Sequence, residues 1–370
     1  MIKIGSIYFI ANFLLIHDQY TGVYKMKNIC GKFLVVTFLF VSGLVEVSAF
    51  ETLPDLPPIP KDNPQSPEKI ELGKQLFFDP RLSADGTVSC NSCHNVMSSG
   101  TDNRPVSVGV NAQKGGRSAP TVWNAAFLTT QFWDGRAATL EDQAKGPILN
   151  PIEMGMPNKE EVVKRIKAIP GYIVQFEKTF GGKDAVTYDN IAKAIASFER
   201  TLITSSSPFD RFIKGDKTAL SRDAQEGMKL VEAVGCTGCH TGANFSGPAS
   251  LSIGQGFFQK FPVYPGSNFE KKYNLVADLG LYSVTKKNED KNRWRVPTWR
   301  NVAVTAPYFH NGSVKTLDEA VRVMAKTQLD KTLKDQDVKN IVAFLNSLTG
   351  TFPKIAMPRL PDTPNLTMVE

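Results

Sequence analysis

Histidine is scarce in this chain: there are four in 370 residues, beside five cysteines. Two short motifs consume two of those histidines and four of the cysteines, so almost nothing remains to build a separate metal site. A strong excess of one charge is also missing. Of the formal +7, residues 1–49 hold +2 (Lys3, Lys25, Lys27 and Lys32 against Asp18 and Glu46), which leaves +5 for the rest. No stripe of basic and aromatic residues accompanies that balance, which argues against nucleic-acid binding. The apolar run from Phe33 to Val41 is short of the about 20 residues that cross a bilayer. Strand signal is slight throughout.

What is present is one motif twice: Cys90-Asn91-Ser92-Cys93-His94 and Cys236-Thr237-Gly238-Cys239-His240. C-x-x-C-H is the attachment signature of c-type haem. Two thiols form thioethers to the haem vinyl groups, and the adjacent imidazole is held where it ligates the iron. The rival reading is a zinc or redox C-x-x-C with a chance histidine, and a second copy counts heavily against it. Two haems carry four propionates, which offset most of the positive balance. With four cysteines in thioethers, disulfides are not implied.

Lys27, Asn28 and Lys32 precede the Phe33–Val41 run, and Val47-Ser48-Ala49 follows. A basic stretch, an apolar stretch and a small-residue site read as a signal peptide cleaved after Ala49, which implies a periplasmic protein. A membrane anchor is the alternative. Met26 is a second candidate start, because residues 1–25 look like an upstream extension with an apolar stretch of their own (Ile7 to Ile16). Cys30 falls inside the leader.

Residues 50–65 hold Pro54, Pro57, Pro58, Pro60 and Pro64 and read as an extended, loosely packed arm. Ser66-Pro67-Glu68 starts a helix, serine as cap and proline at the first position, that runs to about Phe78. Ser221 opens another through Met228, Leu230 and Val231. A haem motif follows each, 146 residues apart, which points to two related haem domains, 66–205 and 206–370. Between them, 158–204 reads as mostly helical: Val162, Val163, Ile166 and Ile169, then Ile173, Val174 and Phe176, then Ile191, Ala192, Ile195 and Phe198 recur at helical spacing. The last helices are expected at about 317–326 and 335–348, the second stopped by Gly350. The fold class is mostly α, with long loops packed on the apolar faces of the haems.

Further stretches resemble the bacterial di-haem cytochrome c peroxidase family, which includes MauG-type enzymes. They are Ser118-Ala119-Pro120-Thr121, Phe132-Trp133-Asp134-Gly135-Arg136-Ala137, Gly146-Pro147-Ile148, Arg295-Val296-Pro297-Thr298 and Ala306-Pro307-Tyr308-Phe309-His310-Asn311-Gly312-Ser313. The resemblance covers about Leu72 to Gly350. It implies two cytochrome c-like domains with haems at either side of their interface. It also implies reduction of hydrogen peroxide to water with electrons from a small periplasmic cytochrome c or cupredoxin, and a possible homodimer.

The resemblance assigns roles. His94 ligates the first, peroxidatic haem; His240 and Met324 ligate the second, electron-entry haem. Read without it, Met324 is core filling. His310 is expected beside the haem edge and off the iron, against the plainer reading of a structural histidine. Glu153 is expected as the acid–base carboxylate, with Gln143 as its amide partner. Apolar Ile152, Met154 and Met156 argue that Glu153 is buried and its pKa raised, not a surface carboxylate. Trp133 is expected between the haems; its bland reading is a core aromatic. A calcium ion is expected on the carbonyls of Thr305 and Pro307, with Ser118 where the family has asparagine.

One departure stands out. Where many members carry a histidine that closes the first iron, this chain has Val110, and no histidine lies between His94 and His240. Either that iron is open, or Met97 or Met154 closes it, though both are expected in the core. The absence suits a MauG-like oxidase acting on a partner protein, whereas Met324 argues against one, because that type has tyrosine there. A plain di-haem electron carrier is the third reading, and Glu153 disfavours it.

Overall fold

The computed structural model describes residues 50–363 and 367. The expected signal peptide, its cleavage point, Cys30 and both candidate starts lie outside the described residues.

Twelve helices are described in chain order: α1 Pro67–Phe78, α2 Cys90–Cys93, α3 Leu140–Leu149, α4 Lys159–Lys167, α5 Pro170–Phe180, α6 Tyr188–Glu199, α7 Pro208–Ile213, α8 Arg222–Val234, α9 Asn268–Tyr273, α10 Tyr282–Thr285, α11 Leu317–Leu329 and α12 Asp335–Ser347. One short ribbon pairs β1 Phe258–Lys260 with β2 Arg293–Arg295, antiparallel, Gln259 opposite Trp294. The fold is mostly helical, as the sequence implies. Among the described residues no helix is long and apolar enough to cross a membrane.

The caps follow local chemistry. Ser66 accepts from the Lys69 amide and Ser221 from the Ala224 amide, each satisfying one orphan N–H of a first turn. Two helix pairs carry the architecture: α1 crosses α6, and α8 crosses α12. Each crossing uses a glycine. A Cβ on Gly73 would sit 1.8 Å from the Ala194 carbonyl oxygen, and one on Gly227 would sit 1.9 Å from that of Asn340. Only hydrogen fits at either point.

An apolar core forms around each crossing. One gathers Leu72, Leu76, Phe77, Ile195 and Phe198 with the faces of α4 and α5. The other gathers Phe209, Val231, Phe245, Ile341 and Phe344. Helices α6 and α12 share the 146-residue register of the haem motifs, with Ile195 against Ile341 and Phe198 against Phe344.

A second register, of 177 residues, stands out in the fold. Pro120-Thr121 and Pro297-Thr298 each lead to an asparagine in the left-handed region, Asn124 and Asn301. A left-handed Phe132 and Gly135 recur as Phe309 and Gly312, closed by the bridges Gln131 to Ala137 and Tyr308 to Val314. Thr139 then caps α3 as Thr316 caps α11. The two asparagines converge on one hydroxyl: Asn124 and Asn301 both donate to Thr204 Oγ1, at 2.8 and 3.0 Å.

Three expectations need correction. The 50–65 arm has no regular structure but is anchored. Phe50 and Leu53 are buried, the Leu53 amide donates to Asp210, and buried Asn63 donates to Glu141. Val174 is exposed on α5, whose buried face is Tyr172 and Phe176, because the helix restarts at Pro170 and shifts the phase. Met97 is 55% exposed rather than in the core, since it sits on the turn after His94, outside any helix. The final helix ends at Ser347, capped by Leu348, before Gly350.

Candidate functional site

Each C-x-x-C-H motif walls a cavity. The first is lined by Cys90, Cys93 and His94 with Gln143 and Glu153. The second is lined by Cys236, Cys239 and His240 with His310 and Met324. All four cysteines are half-buried residues.

In both motifs the backbone turn aims the imidazole. His94 Nδ1 lies 3.0 Å from the Pro120 carbonyl and His240 Nδ1 3.1 Å from that of Phe245. A carbonyl only accepts, so each Nδ1 carries the proton and each Nε2 keeps a free lone pair. Burial holds both imidazoles below their ordinary pKa, His240 at about 4. His240 also stacks on Trp299 at 4.4 Å. Neutral, oriented imidazoles beside paired thiols match the donor set of covalent haem. Buried His310 leaves its Nε2 without a partner at the wall of the second cavity. An orphaned polar atom there also fits a polar-edged ligand.

The other expected residues fall as follows. Trp133 lines both cavities, and its indole N–H donates to the Ser118 carbonyl at 2.8 Å. The Ser118 amide in turn donates to the His310 carbonyl. Glu153 is half-buried. Burial pushes its carboxyl above the ordinary value, with Arg136 and Asn150 opposing. Ser118, Thr305 and Pro307 all line the second cavity. Asn103 donates to the carbonyls of Val304 and Ala306; those of Thr305 and Pro307 accept no hydrogen bond among the described residues. Also among them, no cluster of three or more His, Cys, Asp and Glu is placed to hold a metal ion.

Val110 is 2% exposed and packs in the first core, against Gly155, with its amide on the Glu153 carbonyl. It does not line the first cavity, and neither does Met97; Met154 does. In the 177-residue register Met324 on α11 corresponds to Pro147 on α3. Pro147 lines the first cavity with no donor atom in its side chain.

Several site residues were not anticipated. Arg295 is buried in the second cavity wall and donates to the Phe132 carbonyl. Trp294 stacks on His310 at 4.0 Å, and Arg117 sits over Trp294 while pairing with Asp134 and Asp278. Glu199, the last residue of α6, is buried in the first cavity wall. Its one sequence signal is a carboxylate four residues after Ile195 on an apolar helix face.

The chain matches the family described as di-haem cytochrome c peroxidase over residues 67–218. It is 44% identical to the cytochrome c551 peroxidase of Pseudomonas aeruginosa over 86% of this chain and 89% of that one. It is 45% identical to the cytochrome c551 peroxidase of Nitrosomonas europaea, over 84% and 88%. Among solved structures it resembles a MauG-like protein associated with microbial copper homeostasis, with a TM-score of 0.70 and 30% identity over 80% of this chain and 95% of that one. At this identity, across nearly the full length of both peroxidases, the chain belongs to the di-haem cytochrome c peroxidase family.

Proposed function

We propose that the two cavities divide one reaction between them, the reduction of hydrogen peroxide to two waters by two electrons and two protons. The chain is a cytochrome c peroxidase with haem c cofactors, and it draws electrons from a cytochrome donor. The observation that carries the division is an asymmetry. Both cavities have a C-x-x-C-H wall, but Glu153 and Gln143 line only the first and Met324 only the second.

Residues 66–205 and 206–370 form the two haem domains. His94 Nε2 and His240 Nε2 would hold the two irons, and Met324 Sδ would be the second protein ligand in the second cavity, since paired protein ligands suit electron transfer. Haem iron, when bound, supplies the redox and Lewis-acid chemistry that breaks the O–O bond. Glu153 takes the proton from the near peroxide oxygen and returns it to the departing one. Its raised pKa brings both acts within reach of neutral pH. Gln143 orients the peroxide. Trp133, on the wall of both cavities, bridges them for electrons. Val110 is packed in the core and Pro147 has no donor atom in its side chain, so neither position would supply a second protein ligand to the first haem.

Export to the periplasm after cleavage at Ala49, a calcium ion on Thr305, Pro307 and Ser118, a cupredoxin as alternative donor, and a homodimer complete the reading. Calcium accepts mixed oxygen donors of this kind. The test is peroxide-dependent oxidation of a reduced small cytochrome c by the two-haem protein. Turnover supports the reading; its absence transfers the case to a MauG-like oxidation of a partner protein.

A further inference from the structure

The first cavity contains a carboxyl that peroxide cleavage does not use. Glu199 ends α6, is 4% exposed, and lines the cavity beside Cys90 and Ile195. Its Oε2 is wholly buried with no hydrogen-bond partner. A carboxylate oxygen buried from water with no partner is costly, so a native fold that keeps one has a use for it or a missing partner.

Its neighbours do not neutralise it. Arg200 follows it in sequence but is already taken by Glu141, in two bonds of 2.7 and 2.9 Å. On the α1 side, Lys69 is held by Asn63 and the Pro64 carbonyl. From α2, Cys90 is close enough to feel the Glu199 charge. Elsewhere on the cavity wall the charged groups are Glu153, Arg136, Arg117, Asp134 and Asp278, and the cations among them have carboxylate partners: Arg136 pairs with Asp134, and Arg117 with Asp134 and Asp278. Burial, opposed by Arg200 and reinforced by Glu141, pushes the Glu199 carboxyl up to about 8.

The duplication makes the placement specific. In the 146-residue register that matches His94 with His240, Ile195 with Ile341 and Phe198 with Phe344, Glu199 matches Leu345. Leu345 lines the second cavity. The same helical position is thus apolar where electrons pass and acidic where protons are consumed.

We propose that Glu199 is a redox-linked proton acceptor of the first haem, taking up one proton when that haem gains an electron and releasing it on reoxidation. The inference rests on the haem reading of the first cavity. The electron comes from the cytochrome donor and the proton from solvent, so one negative and one positive charge enter together. The physical drive is that an uncompensated charge in a low-dielectric cavity is expensive. Glu199 supplies the compensation from the cavity wall and leaves Glu153 free for the peroxide.

The test is the midpoint potential of the first haem in the two-haem protein, followed with pH on either side of 8. In the native protein the reduction equilibrium falls by up to tenfold per pH unit above about 8, which is about 59 mV for one electron, and levels off below it, where Glu199 already holds its proton. Glu199→Gln abolishes that slope, and Glu153→Gln keeps it. A second readout needs no variant: the infrared difference spectrum between reduced and oxidised native protein gains a carboxylic-acid C=O band that shifts in heavy water. A pH-independent native potential, an unchanged slope in Glu199→Gln, or no such band overturns the proposal. Haem content separates the two readings. Two haems per chain with a flat potential sink only the role of Glu199, whereas fewer than two sink the haem reading with it.

Discussion

Trp133 and His310 are joined through the backbone of a single residue, Ser118. The Trp133 indole donates to the Ser118 carbonyl at 2.8 Å, and the Ser118 amide donates to the His310 carbonyl at 2.8 Å. The two are also equivalent in the 177-residue register, each following a left-handed phenylalanine, Phe132 and Phe309. One fold element used twice thus brings a tryptophan onto the wall of both cavities and a histidine onto the wall of the second.

Trp133→Phe keeps the ring but loses the N–H. The Ser118 carbonyl is left without its donor, a cost of about 1–3 kcal/mol. We expect kcat to fall by about tenfold or more with KM for peroxide unchanged, since the step affected follows substrate binding. Both haem spectra should stay native. Unchanged kcat would remove Trp133 from the path between the cavities.

Glu153→Gln removes the proposed proton carrier without changing size. Loss of general acid–base catalysis costs about 10²–10⁴-fold in kcat/KM. The active form toward peroxide is the carboxylate, and burial raises its pKa. Activity of the native enzyme therefore declines as pH falls through that raised value, above the ordinary 4.5. The variant should lose this limb of the pH–rate profile, which stopped-flow measurements would show.

Glu141 and Arg200 form a buried pair that also ties down Asn63 of the N-terminal arm. Burial pushes the Glu141 carboxyl up, but Arg200 and Asn63 pull it further down, to below its ordinary value. A depressed folded-state pKa gives stability that is present above pH 4.5 and is lost as pH falls through the folded value. Glu141→Gln should cost about 3–5 kcal/mol at neutral pH, because it strands Arg200. It should also flatten the acid limb of a denaturation-against-pH curve. A melting curve matching the native one would contradict the pair's importance.

Gly73→Ala and Gly227→Ala each force a methyl into a backbone carbonyl. We expect destabilisation of about 3 kcal/mol, the upper end for overpacking. Hydrogen exchange should loosen α1 and α6 in the first variant and α8 and α12 in the second. Uniform loosening in both would contradict two separately packed cores.

These glycines mark the limit of what the sequence alone reveals. The caps at Ser66 and Ser221, the helices of 158–204 and the haem motifs follow from local chemistry and were readable. A glycine inside a helix looks like a defect until its partner helix is known. The haem motifs advertise a spacing of 146, and the insertions between them hide the register of 177. Pro170 resets helical phase, so periodicity alone puts Val174 on the wrong face. A carboxylate after Phe198 looks like an ordinary helix end, and only burial separates Glu199 from a solvated one.

The central claim is an open first iron at rest, drawn from Val110 in the core and Pro147 opposite Met324. It is tested most directly by adding peroxide to the fully oxidised protein and following oxidation of reduced small cytochrome c, with and without prior reduction of the second haem. The account predicts equal initial rates. Turnover only after pre-reduction would contradict it and show that another cavity residue, Met154 first among them, closes the iron.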